Sequence, residues 1–166
     1  MKSLSVTFAL LFAVGLSSIS LAAENDEAAK IEKERFKKFE EMLSGVKLVG
    51  RFTILGRDQG KLPEEEYTIK SVKKLPQEDF WKFEARIKYG NNDYTVPLPL
   101  RVKWADDTPM ITLTDFRILG QGPFSARVIF YNGKYAGTWS HGKVGGHLFG
   151  KIVKLKEKES GQEKSE

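Results

Sequence analysis

Apolar and polar residues alternate with a period of two from Val46 almost to the end of the chain. That pattern predicts β-strands with one buried and one wet face, as antiparallel sheets have. Val46, Leu48, Gly50, Phe52 and Ile54 share one parity of the first run. Trp81, Phe83, Ala85, Ile87 and Tyr89 alternate with Lys82, Glu84, Arg86 and Lys88. Tyr94, Val96, Leu98, Leu100, Val102 and Trp104 alternate with Thr95, Pro97, Pro99, Arg101 and Lys103. Further strands are predicted from Tyr67 to Leu75, Met110 to Ile118, Phe124 to Tyr131, Tyr135 to His141 and His147 to Lys154. The parity slips near Ser71 and again around Asp115, which is the mark of a β-bulge. Pro97 and Pro99 have no N–H to give a ladder, so an edge or an interruption is expected there. A closed barrel has to open or bulge at that point.

The strongest local signal is Tyr131-Asn132-Gly133-Lys134. A two-residue type I′ turn needs positive φ at both central positions, which Asn tolerates and Gly adopts at no steric cost. This turn sets a register that pairs Phe130 with Tyr135, Val128 with Gly137, Ala126 with Trp139 and Phe124 with His141. Opposed residues share a face, so one aromatic-rich inner face with a histidine at its far end is expected. Other turns are predicted at Asp58-Gln59-Gly60, Pro76 to Asp79, Gly90-Asn91-Asn92, Asp106-Asp107 and Gly120-Gln121-Gly122. Eight strands with short connections point to an all-β antiparallel meander, barrel-like rather than a sandwich. Eight is also the count at which a small barrel closes around side chains or one small ligand.

Before the strands the period is helical. Residues 24–44 read as one helix, with Asn25 or Asp26 as N-cap, Phe36, Phe39, Met42 and Leu43 on an apolar face, and Gly45 as the stop. Residues 1–23 have the pattern of a secretory signal peptide. Lys2 is the positive start, Leu4 to Leu16 the apolar core, and Ser20 and Ala22 the small-x-small pair that directs cleavage after Ala22 or Ala23. Residues 156–166 are charged and lack apolar side chains, as a disordered tail does. Residues 45–155 are left as the β domain, in a secreted or periplasmic protein.

Composition adds three points. The chain has 166 residues, enough for one domain with a targeting segment and a tail. Of its net charge of +5, the β domain carries 18 basic against 11 acidic residues, which would favour an anionic polymer or protein as partner. The Lys residues form no run and no RNA-binding signature accompanies them, so nucleic acid is not an expected partner. Cysteine is absent, which excludes disulfides, thiolate metal sites, a cysteine nucleophile and a lipid-modified N-terminal cysteine as a membrane anchor.

Candidate chemistry centres on Gly137 to Gly150. If Gly142 to Gly146 form the loop, His141 and His147 face each other at the mouth of the last hairpin and, with Asp115, are candidate ligands for a divalent metal. Ordinary hydrogen-bonded histidines are the simpler reading. Ser140 and His141 are neighbours on a strand and point to opposite faces, so they make no nucleophile–base pair. No Gly-x-Ser-x-Gly elbow, Walker loop, HExxH or EF-hand pattern occurs. Glu64-Glu65-Glu66 and Asp106-Asp107 read as solvated turn carboxylates. The inner aromatics are either a packed core or a cup for a small apolar ligand, with Trp81, Trp104, Trp139, His141 and His147 as the expected contacts.

The segment from Thr95 to Trp104, together with Gly137-Thr138-Trp139-Ser140-His141-Gly142 and Gly145-Gly146-His147, resembles short secreted proteins found largely in planctomycete bacteria. The resemblance implies export and one β domain. Gly137-Thr138-Trp139 is also similar to the Gly-x-Trp of lipocalins and the Gly-Thr-Trp of avidin-like barrels. In those families it lies on the first strand and here on the seventh, so the analogy extends to the fold alone. The expectation is an exported, non-catalytic binding protein without a cofactor. An interaction module using its basic strand face is the alternative, and a metal-dependent hydrolase the third reading.

Overall fold

The computed structural model describes residues 13–89, 92–117 and 122–155. Outside the described residues lie the start of the expected targeting segment, parts of the expected turns at Gly90-Asn91-Asn92 and Gly120-Gln121-Gly122, the end of the strand expected to reach Ile118, and the expected charged tail. The side chains of residues 13–23, 87–89 and 92–94 are likewise not described. The elements are α1 (Ala13–Leu43), β1 (Val46–Phe52), β2 (Glu64–Lys74), β3 (Phe80–Tyr89), β4 (Asn92–Ala105), β5 (Thr108–Arg117), β6 (Pro123–Tyr131), β7 (Lys134–His141) and β8 (Val144–Lys154). Each strand pairs antiparallel with the next, and β1 pairs with β8, so the expected meander is a closed eight-stranded barrel.

Asn132 and Gly133 have φ of 47° and 70°, as a type I′ turn requires. All four pairs that follow from that turn are formed, from Phe130–Tyr135 to Phe124–His141. Both bulges are present. The β2–β3 register shifts between Ile69 and Ser71, and the β5–β6 register between Leu113 and Phe116. Asp115 sits in the second bulge at φ 50°, a left-handed conformation that Asp tolerates better than most residues.

The prolines of β4 explain an irregular seam. Val102 N donates to Asp79 O, so even-numbered residues of β4 turn their backbone groups toward β3. Odd-numbered residues, Pro97 and Pro99 among them, turn theirs toward β5. The β4–β5 ladder accordingly runs only from Arg101–Thr112 to Ala105–Thr108, while β4 pairs with β3 from Arg101 to Asn92. Where proline removes the donor, the ladder stops.

The chain divides into two units after Lys38. In the first, Arg35 lies 3.8 Å from Glu32 one turn back. The second starts with the last turn of α1, which plugs one end of the barrel. Phe39 and Leu43 are fully buried there, and the Phe39 ring meets Trp81, Trp104 and Phe83 edge-on at 4.8, 5.5 and 6.2 Å. The first bulge leaves backbone donors for this turn to accept. Val72 N donates to Ser44 Oγ at 3.0 Å and Lys74 N to Glu40 Oε1 at 3.0 Å. Lys154 Nζ donates to Glu41 O at 2.6 Å, placing a cation at the helix C-terminus.

On the outside, β1 to β3 carry charges in pairs: Lys47–Glu66 at 2.7 Å, Arg51–Glu64 at 2.9 Å and Lys82–Glu84 at 3.7 Å. A membrane barrel turns apolar residues outward, so this wall faces water.

Three expectations change. Asn25 and Asp26 do not cap a helix, because α1 runs through them from Ala13; Leu21-Ala22-Ala23 are strong helix formers and no proline intervenes. The last hairpin turns on Gly142-Lys143 alone, with His141 opposite Val144, since Gly142 at φ 60° suffices for a two-residue turn. Gly145 and Gly146 are therefore strand residues. Finally, Glu64-Glu65-Glu66 begins β2 and is not a solvated turn.

Candidate binding site

Glu65, Tyr67 and Ile69 share the inner parity of β2, so the middle glutamate of the run points into the barrel. It is 5% exposed. Tyr135 donates to its Oε1 at 2.9 Å and Tyr67 to its Oε2 at 3.0 Å. The first bond spans seventy residues of sequence and is made possible by glycine. Tyr135, Gly150, Gly50 and Glu65 are successive partners across β7, β8, β1 and β2. A Cβ on Gly50 would stand 2.3 Å from the Tyr135 hydroxyl, and one on Gly150 2.7 Å from its ring. The phenol therefore lies flat over two bare backbones to reach the carboxyl.

Burial pushes the Glu65 carboxyl above the ordinary carboxylate range, against the opposing pull of the Tyr135 and Tyr67 hydrogen bonds. Burial, followed by the charge of Glu65, pushes the Tyr135 hydroxyl well above its usual value, so it remains a donor.

The two ends of the interior differ. At the plugged end Trp81, Phe83, Val46, Val72, Val102 and Phe130 are at most 2% exposed. Toward the other end the inward positions Phe52, Tyr67, Leu113, Phe116, Phe124, Val128 and Trp139 are only half-buried. Phe52 and Trp139 meet edge-on at 5.8 Å, and His141 stacks on Phe124 at 4.2 Å. The connection from Thr53 to Pro63 belongs to this end, with Leu55 exposed and Ile54 N held by Gln59 at 2.7 Å.

The expected contact residues are thus divided. Trp81 and Trp104 are at the plugged end against Phe39, whereas Trp139 and His141 lie at the far end. His147 is not in the interior. The two-residue turn puts it opposite Thr138 on the outer parity, exposed to solvent. Its backbone N–H donates to Thr53 Oγ1 at 2.9 Å and its Nδ1 lies 3.2 Å from the same hydroxyl. Thr53 O in turn accepts from Trp139 Nε1 at 3.2 Å. One threonine therefore ties an inner tryptophan and an outer histidine to the rim.

The facing pair of histidines is not formed, because adjacent parities of a hairpin put His141 and His147 on opposite faces. Asp115 is exposed, its N–H donating to Ser125 Oγ at 2.9 Å. Among the described residues no three His, Cys, Asp or Glu side chains are grouped to hold a metal ion. His141, His147 and Asp115, the expected metal candidates, are therefore not brought together.

A recess of about 340 Å³ lies on the outer wall between Lys47, Glu66, Thr68 and Arg86. Its lining mixes both charges and offers no apolar floor. No protein-family model matches the chain, and no curated protein or solved structure matches it.

Proposed function

We propose that this is an exported, non-catalytic binding protein whose barrel holds a small, partly apolar molecule at the end away from the plug. The observation that carries the reading is the gradient inside the barrel. Trp81, Phe83 and Phe130 are sealed at the plugged end, where Trp104 alone of the inner aromatics is half-buried, whereas Phe52, Phe116, Phe124 and Trp139 toward the other end are all half-buried. Binding sites for small molecules combine such an apolar lining with a small number of placed polar groups. Trp139, His141, Phe52 and Phe124 form the contact set, with Glu65, Tyr67 and Tyr135 deeper in. Trp81 and Trp104 serve the packing against Phe39, and His147 the rim. Export is supported by the sequence of residues 1–23, which leads to a mature chain starting at Ala23 or Glu24.

The test is a titration with aminoanthracene, a neutral fluorophore that brightens in apolar surroundings. Saturable binding at one per chain is expected, weakened at least tenfold by Trp139→Ala and untouched by Trp81→Phe. A tenfold loss corresponds to about 1.4 kcal/mol, within what one aromatic contact supplies. Absence of saturable binding, or indifference to Trp139→Ala, would count against the reading.

An interaction module remains the second reading, favoured by an apolar row on the outer wall. Met110, Ile129, Ala136 and Phe149 are successive partners across β5 to β8, with Ile129 45% and Phe149 44% exposed. That row suits a protein partner better than an anionic polymer, because the outward cations Lys47, Arg51 and Lys82 are paired with glutamates.

A further inference from the structure

Among the described residues the buried carboxyl of Glu65 has no cation bonded to it. Among the described residues its hydrogen-bond partners are the two tyrosine hydroxyls, both neutral. Two basic residues, Lys74 and Lys154, fall on the inner parity, but both sit at the plugged rim. Their ammonium groups are bound to the carbonyls of Leu75 and Glu78, and of Glu41 and Ser44. The neighbouring cations Lys47 and Arg51 are on the outer face with Glu66 and Glu64. A carboxylate has about four acceptor positions, and the tyrosines occupy one on each oxygen. Among the described residues no further protein donor fills the remaining ones.

Burying a carboxylate without a cation is costly, and replacing it by an apolar residue would ordinarily be neutral or stabilising. A carboxyl kept there by two donors, one of which reaches it across two glycines, is better suited to receiving a charge than to holding the fold. The surrounding surface suits a cation as well. Phe52 lies two residues along the inner face from Gly50, edge-on to Trp139, and the Tyr67 and Tyr135 rings flank the carboxyl.

Building on the binding function proposed above, we infer that Glu65 is the anchor for a protonated amine, so that the molecule held in the barrel is a small organic ammonium with an apolar body. The ammonium N–H groups donate to the carboxylate positions that Tyr67 and Tyr135 leave open, and the body extends toward Trp139 and Phe124. Charge-assisted hydrogen bonds of this kind are about twice as strong as neutral ones.

Three probes with one body separate this from its alternatives: naphthylmethylamine, naphthalenemethanol and naphthoate, titrated calorimetrically at neutral pH. The wild-type protein is expected to bind the amine about tenfold more tightly than the alcohol, with naphthoate weakest. Glu65→Gln should bring amine and alcohol to within about twofold of each other. The wild-type series decides the matter by itself should the variant fail to fold. If the alcohol binds and the amine shows no advantage, or if the advantage survives Glu65→Gln, the anchor is wrong and the cup stands. If none of the three binds, the binding function falls and the anchor with it.

Discussion

Glu65 carries a cost that its neighbours only partly offset. The two tyrosine hydrogen bonds favour the charged form, burial opposes it, and burial prevails. The folded-state pKa therefore lies above the unfolded one. The stability contributed by this group is complete below the ordinary carboxylate range and is lost as pH rises through the raised folded value. Glu65→Gln imitates the neutral form at all pH values. It is predicted to melt on the order of 3 °C above the wild type at neutral pH, with the gap closing as pH falls below the ordinary carboxylate range. Melting curves across that range check this; a variant less stable at neutral pH would show that the hydrogen bonds outweigh burial.

The same residue marks how far sequence reading reaches. Three consecutive glutamates look like a solvated turn, and only the shared parity with Tyr67 and Ile69 distinguishes the middle one. The partner that makes its burial tolerable, Tyr135, is far along the chain and reaches it over Gly50 and Gly150, a juxtaposition that no local pattern encodes. By contrast, Asn132-Gly133 states its conformation locally, and all four pairs across it follow. The histidines failed for a reason of the same local kind. One positive-φ glycine, Gly142, makes a two-residue turn, and shortening the loop by three residues moves His147 to the other face.

At the scale of elements, the last turn of α1 does two things: it closes the barrel and fastens β2. The apolar face of α1 was legible from helical spacing, but its start was not, because nothing before Asn25 stops a helix. Phe39 fills the space between Trp81, Trp104 and Phe83, so Phe39→Ala removes a fully buried ring and leaves a cavity. A loss of about 4 kcal/mol is predicted, measured by denaturant unfolding. A loss near 1 kcal/mol would mean that the helix end rests on the barrel without plugging it. The seam between β4 and β5 is the second element-level feature. Pro97 and Pro99 predicted an interrupted ladder, and the interruption falls on the β5 side because their ring nitrogens point there. β3 still pairs along the other edge, so the barrel closes despite it.

For the whole molecule, the meander was readable because each hairpin keeps its own parity and the bulges reset it where the pattern slips. Closure between β1 and β8 has no such local signature; it follows from the strand count and is fixed by seven consecutive pairs from Val46–Lys154 to Phe52–Leu148. The result is a barrel sealed at one end, half-open in its lining at the other, charged along the outside of β1 to β3 and aromatic inside, with Glu65 as the buried acid among the described residues. That combination is the ground for reading it as a holder of small molecules.

Native mass spectrometry of the protein isolated from its own cells tests this most directly. The account predicts one extra small-molecule mass per chain, removed by organic extraction, absent from Trp139→Ala and retained by Trp81→Phe. A bare polypeptide mass in every preparation would contradict it and leave the half-open aromatics as loosely packed core.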